Sequence, residues 1–273
     1  MRLMLALVAL VPAVFGALER LAIPDVELHD PVWRERSPGS EVKVENAAWT
    51  EFLGRYLTAG ADGVNRLDYA GVTAEDRAGL RAYLDRLEAV DPRTLSGPAQ
   101  LAYWINLYNA ATVDIVLAHY PVETIREIEG GLFDTGPWGE EIVTVLGRKL
   151  SLNDIEHGII RAVWNEPRIH YAVNCAAIGC PNLAPSAWEP DALEARFAAA
   201  ERAFVNDPRG VRIEEGDLVL SKIWFWFRED FGETETEVLE RLRRVATGRA
   251  AEALAGRTEV DRYDYDWALN EQR

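Results

Sequence analysis

A chain of 273 residues with 45 acidic side chains against 29 Lys and Arg carries a formal charge of -16. That balance excludes nucleic acid and anionic lipid surfaces as partners, because both require a basic face that releases counterions or meets headgroups. Hydrophobic residues at 48% and charged ones at 27% give an ordinary globular composition, and two cysteines, Cys175 and Cys180, allow at most one bridge and exclude a disulfide framework.

Residues 1–17 read as an export signal. Arg2 supplies a positive start, Leu3 to Val14 is an almost unbroken apolar run, and Gly16 with Ala17 offer small residues for processing. The run is shorter than the ~18 residues that a membrane span requires. The expectation is a signal peptide or N-terminal anchor over residues 1–17 and a periplasmic or secreted location. A single domain is expected over residues 18–273, because no repeat, low-complexity tract or long linker divides them.

Periodicity predicts helices over residues 47–56, 74–89, 99–120, 152–164, 191–204, 222–230 and 237–255. Strands are fewer. Residues 142–145 and 149–152 flank Gly147 as a hairpin, 168–174 alternate, and 211–213 with 218–220 flank Glu215, Gly216 and Asp217 as another hairpin. The pattern predicts an α+β fold: a helix-rich single domain with a central buried helix and a small antiparallel sheet.

The central helix is 99–120, which Ser96 caps and Pro121 ends, and apolar residues occupy almost every side of it. Asn106 and Asn109 share one of its faces. A buried carboxamide without a partner costs on the order of 1 to 3 kcal/mol, so both need assigned partners, either loop backbone or a ligand. In the next long helix, which Ser151 and Asp154 start, Glu156 falls inside the apolar arc built by Leu152, Ile155, Ile159, Ile160 and Val163. A carboxylate there needs a cationic or hydrogen-bonding partner, with Arg161 and Arg168 as candidates, and perturbed carboxylates collect at functional sites. His157 lies off the arc, facing a cleft or water.

The segment 168–183, RIHYAVNCAAIGCPNL, places an alternating strand before a thiol and a Gly/Pro loop. Cys175 at the strand end is presented as a nucleophile requires. In an extended strand His170 would point away from it, roughly 16 Å distant. His157 is therefore the expected base.

These residues are recognisable. NRLDYAGV, YWINLYNA, LSLNDIEHGIIR, RIHYAVNCAAIGCP, SKIWFWFREDFG and DYDWALN together resemble the domain of unknown function 547 family, over nearly the whole chain after its first segment. The resemblance implies that the Ile-Glu-His element and the first cysteine recur, whereas the second cysteine position also holds serine and the His170 position varies. It singles out Glu156, His157 and Cys175 as the site. It also implies an architecture compatible with papain-like or transglutaminase-like cysteine enzymes, which by itself does not establish function.

Two functions follow. In one, Cys175 is the nucleophile of an acyl transferase or amide hydrolase, with His157 as base and Glu156 orienting it; Asn106, Asn109, Arg168 and His170 would hold the substrate, a small molecule or peptide. In the other, Cys175 and Cys180 form an inert disulfide, and the protein is a binding module for a peptide or small thiol. A redox role is a third reading, although four intervening residues depart from the Cys-x-x-Cys arrangement. No cofactor or metal is expected, because His119, His157 and His170 lack ligand spacing. The aromatics of 224–227 should be core, and the tail 261–270 should dock on the domain.

Overall fold

In the computed structural model, which describes residues 24–128 and 136–272, every residue from Ala99 to Leu117 is buried. They belong to the helix Gly97–His119, whose N-cap Ser96 accepts from the Ala99 N–H and whose last turn stops ahead of Pro121. A helix apolar on all sides must be surrounded, and this one is the axis of the larger hydrophobic core. Trp104 meets Trp33 edge-on at 5.4 Å, and the Tyr103 hydroxyl donates to the Leu87 carbonyl in the helix Ala74–Glu88. The helix Ala47–Tyr56 completes that side. The export segment expected at 1–17 lies outside the described residues.

A second, smaller core gathers Phe204, Trp224, Leu220, Leu239 and Leu254. Its elements are the helices Leu193–Val205, Glu235–Val245 and Gly248–Leu254 and a sheet of three strands. In that sheet Val211–Glu214 and Asp217–Ser221 form the expected hairpin, turning through Glu215 and Gly216 at positive φ. The tail strand Arg262–Asp264 adds to it in parallel. The other expected hairpin pairs Val143–Val145 with Arg148–Leu150, and a third sheet, Leu57–Ala59 with Asn65–Leu67, went unforeseen because its strands are only three residues long. The fold is α+β, with small antiparallel pairs and the single parallel pairing of the tail. Among the described residues no helix is long and apolar enough to cross a membrane.

Several expected elements differ from those observed. The strand expected at 168–174 is instead a 3-10 turn, Pro167–Tyr171: Pro167 fixes the backbone at its start and the Glu166 side chain accepts from the Arg168 N–H. Ile169, His170 and Tyr171 are consecutively buried, so the apparent alternation carried no strand face. The helix expected over 222–230 breaks at Phe227 into Ile223–Trp226 and Arg228–Phe231, and the last one breaks at Ala246 and Thr247. Between Asp154 and Ile160 the chain winds as a π-helix before continuing as the α-helix Arg161–Trp164.

The carboxamides of Asn106 and Asn109 are both taken up by loop backbone. Asn106 exchanges two hydrogen bonds with the Trp188 backbone, donating to its carbonyl at 2.9 Å and accepting from its N–H at 2.8 Å. Asn109 donates to the Ala172 carbonyl at 2.9 Å and accepts from the Asn174 N–H at 2.8 Å. The central helix thus holds the backbone on the near side of Cys175 through one carboxamide. Replacing Asn109 by Ala leaves a buried carbonyl and a buried N–H unpaired, and should lower the unfolding free energy by about 3 kcal/mol. Urea unfolding checks this; a loss under about 0.5 kcal/mol, the level of an ordinary surface change, would refute the anchoring role.

Candidate functional site

A cleft of about 510 Å³ opens where the two cores meet, a volume suited to a small organic ligand. Aromatic rings form its walls. Trp226, Tyr265 and Trp267 lie 4.6 to 5.5 Å apart in a mutual cluster, Trp138 meets Trp267 edge-on at 5.7 Å, and the Arg126 guanidinium sits 5.1 Å above the Trp267 ring. Its polar lining includes Tyr108, Glu156, His157, His170, Cys175 and Cys180, with Arg126, Glu140 and Asn153 also on the wall.

The π-helix explains why two consecutive polar residues line the cleft. Its wider winding departs from the 100° step of an α-helix, so Glu156 and His157 are both buried, at 7% and 5% exposure, although an α-helical wheel puts His157 outside the apolar arc. Such segments occur frequently at functional sites. One turn on, the Arg161 side chain is 1% exposed and fully engaged. It reaches Asp230 through Nε at 2.7 Å and Nη2 at 3.0 Å, donates to His157 Nδ1 from Nη1 at 3.1 Å, and lies 5.1 Å from the Phe227 ring. Asp230 also accepts from His170 Nε2 at 2.6 Å, and His170 stacks on Phe227 at 4.1 Å. The other nitrogen, His170 Nδ1, sits 3.5 Å from Glu156 Oε1 without a well-formed hydrogen bond.

Charge in this network follows from those contacts. Burial disfavours ionised Glu156, but the surrounding His157, His170 and Arg161 offset it and hold its pKa down at about 2. His157 is pushed down to about 4, by burial first and by Arg161 and His170 beside it, against the pull of Glu156 and Asp230. Asp230 is kept well below the usual carboxylate range, its burial outweighed by His170 and Arg161.

The thiols lie on another wall. After Asn174 the chain turns sharply, with Ala176 in the left-handed region at φ 60, a conformation that costs a non-glycine residue on the order of 1 kcal/mol. The turn brings Cys180 back beside Cys175: the two free sulfurs are 2.7 Å apart, and the Cys175 N–H donates to Cys180 Sγ at 3.1 Å. The Tyr265 hydroxyl is 2.9 Å from Cys175 Sγ. Its segment straps the loop by backbone bonds from Ile178 N–H to Ala268 and from Gly179 N–H to Asp266, so close that a Cβ on Gly179 would lie 2.7 Å from the Asp266 nitrogen. The hydrogen bond shared with Cys180 and the desolvation of its sulfur raise the half-buried Cys175 well above a free thiol. Cys180 is lowered despite burial, because Cys175 and Tyr265 direct donors at it. The two sulfurs share the pair's last proton across this contact.

Of the residues singled out from sequence, Glu156, His157, His170 and Cys175 meet at the cleft. Arg168 does not: it forms ion pairs with Glu166 and Glu194 at 2.7 Å each and is no partner for Glu156, a role that Arg161 fills electrostatically. Among the described residues no hydrogen bond joins His157 or His170 to either sulfur. Tyr108, Asp230, Trp226, Tyr265 and Trp267 went unassigned to the site. The tail does dock as expected, and the aromatics of 224–227 are core as expected, with Trp224 and Trp226 buried in the smaller core and Phe225 and Phe227 packed against it, while Trp226 and Phe227 also line the cleft. The described residues contain no group of three or more His, Cys, Asp or Glu side chains placed to hold a metal ion.

The low pKa of His157 sets a pH dependence. An unfolded histidine takes up its proton near pH 6.5, whereas native His157 stays neutral to about pH 4. Between these values the unfolded state binds more protons, so this residue's contribution falls as pH drops, by on the order of 3 kcal/mol, and changes no further below pH 4. Glu156 adds a second loss between its unfolded value and about pH 2. Urea unfolding at stepped pH should show a shallower slope between pH 6.5 and 4 in His157→Gln than in the native protein. Equal slopes would place the charge of His157 elsewhere.

No curated protein and no solved structure matches the chain. Residues 92–205, which carry the central helix, the π-helix and both cysteines, match the family described as protein of unknown function, DUF547.

Proposed function

We propose that the protein is a thiol-dependent enzyme of the periplasm or extracellular space that exchanges its Cys175–Cys180 dithiol with the disulfide of a small organic or peptide substrate. One observation carries this reading: two free sulfurs 2.7 Å apart on the wall of a ligand-sized aromatic cleft. An oxidising compartment supplies disulfides. The acyl-transfer reading, with Cys175 as nucleophile and His157 as base, shares the cleft but has less support. The Nδ1 of His157 is occupied by Arg161, Cys175 is raised rather than lowered, and the comparison with papain-like or transglutaminase-like enzymes is one of fold alone.

The exchange begins when the pair gives up one proton to solvent. The remaining proton crosses from Cys175 to Cys180, and the half-buried Cys175 thiolate attacks one sulfur of the substrate disulfide. That bond breaks, and the first substrate thiolate leaves and is protonated by solvent. Cys180 then loses its proton to solvent and attacks Cys175, and the second substrate thiolate leaves as the internal disulfide closes. Two substrate thiols are formed as the protein dithiol is oxidised. The proposal is for this chain, since the family resemblance lets serine stand at the Cys180 position.

The test uses the reduced protein and 2-hydroxyethyl disulfide. Mass spectrometry should show loss of two hydrogens with release of two thiols per chain, and Cys180→Ser should stop at a mixed disulfide on Cys175. A Cys180→Ser protein that forms no mixed disulfide, or a native pair that neither oxidises nor is reduced under these conditions, would overturn the exchange reading and favour the binding module.

A further inference from the structure

We infer that His157 is a fixed, neutral hydrogen-bond donor through Nε2–H that, next to the Glu156 carboxylate, selects ligands presenting an amide edge. This rests on the cleft being the substrate site, as proposed above, and not on the thiol chemistry. Arg161 sets the tautomer of His157. A guanidinium has N–H donors and no acceptor, so its approach to His157 Nδ1 at 3.1 Å requires a lone pair on that nitrogen. A neutral imidazole has one N–H, which then lies on Nε2. Burial and the neighbouring Arg161 and His170 disfavour a second proton, while Glu156 and Asp230 are the acids that oppose them.

The ring has little freedom to choose otherwise. Turning it over would present Nε2–H, or a carbon, to a guanidinium that is itself held by two bonds to Asp230 and one to Glu229. A buried charged donor would then lose its partner, at a penalty above that of a neutral hydrogen bond. His170 in turn holds Asp230. The tautomer is thus set by three elements: the π-helix, the turn Pro167–Tyr171 and the short helix Arg228–Phe231. Among the described residues no protein group bonds His157 Nε2, and the ring lines the cleft.

What this donor can recognise depends on its neighbour. Glu156 is ionised and offers only acceptors, so a ligand carboxylate placed beside it is repelled, and an ammonium there leaves the His157 N–H unanswered. Consecutive helical side chains do not face each other, so donor and acceptor meet two ligand atoms rather than one. A secondary amide carries a carbonyl for His157 and an N–H for Glu156 on one rigid plane, and a planar group suits the aromatic walls. The ligand class is therefore a short peptide or another small secondary amide.

Two measurements test this. Nitrogen-15 NMR of the histidine-labelled native protein, between pH 5 and 8, should show one residue with a protonated Nε2 and an unprotonated Nδ1, assigned by its absence in His157→Gln. A protonated Nδ1 at this residue would overturn the assignment. Binding is read from tryptophan fluorescence with N-acetyl-S-methylcysteine methylamide, a thioether that cannot exchange, against 2-(methylthio)ethanol, which has a hydroxyl and no amide. The amide probe should bind more tightly, should weaken about fivefold to tenfold in His157→Phe, and should recover in His157→Gln, whose side chain still donates. Equal affinity for both probes, or no effect of Phe, would sink the amide selection while leaving thiol exchange standing. Failure of exchange with these results intact would do the reverse. Should His157→Phe fail to fold, the NMR result and the comparison of probes on the native protein still decide.

Discussion

The site depends on one buried guanidinium. Arg161 joins Asp230, His157 and the face of Phe227 at a point where its side chain is 1% exposed, and a cation so deep is stable only if its donors are answered. Each answer comes from a different stretch of chain. Asp230 belongs to a helix shortened by the break at Phe227, His157 to the π-helix, and the bond from His170 that steadies Asp230 to the turn after Pro167. Removing Asp230 leaves the guanidinium with an uncompensated charge, and removing His157 leaves one of its donors unanswered. The network therefore fixes the relative positions of three elements while supplying the polar side of the cleft.

Much of the architecture was legible in the sequence, and for definite reasons. The central helix announces itself because apolar residues on every side have only a buried solution, and the two glycine hairpins because positive φ is needed at their turns. Glu156 was visible as a carboxylate on an apolar arc, and burial with charged neighbours is what such a placement demands. His157 was named as the base, but its burial was not foreseen, since a helical wheel presumes 100° per residue and the π-helix breaks that assumption. His170 was misplaced by an alternation that looked like a strand; Glu166 followed by Pro167 was the available signal for a capped turn.

Other members of the site carried no local signal. Asp230 lies in a run of charges after the aromatic segment, where nothing distinguishes it from Glu229 until His170 and Arg161 come to it from more than fifty residues away. Tyr265 is ninety residues from Cys175 in sequence. The proximity of the two sulfurs also depends on a left-handed alanine, a conformation that composition does not predict for Ala176. Strain of that kind persists only where the surroundings impose it. Here Asn109 holds the chain just before the turn, and the tail holds it just after, through Ala176, Ile178 and Gly179.

The same geometry decides which groups have a proton to move near neutral pH. An efficient acid or base needs a pKa near the working pH. Glu156 is held at about 2 and His157 at about 4, so neither is a strong candidate, and His170 commits one N–H to Asp230 at 2.6 Å. The imidazoles and carboxylates are thereby arranged to keep fixed charges and directions, which suits holding a ligand better than driving its chemistry. The thiol pair is different in kind. Its sulfurs contend for one proton over 2.7 Å, with Cys180 lowered and Cys175 raised by the same contact, and Tyr265 stands beside them on a strap that also carries Trp267 into the aromatic wall. A change in the pair therefore reaches the wall through a single segment of backbone. On the proposed reading, recognition and reactivity are divided between two faces of one cleft, with the charged network fixing the first and the sulfurs left to the second.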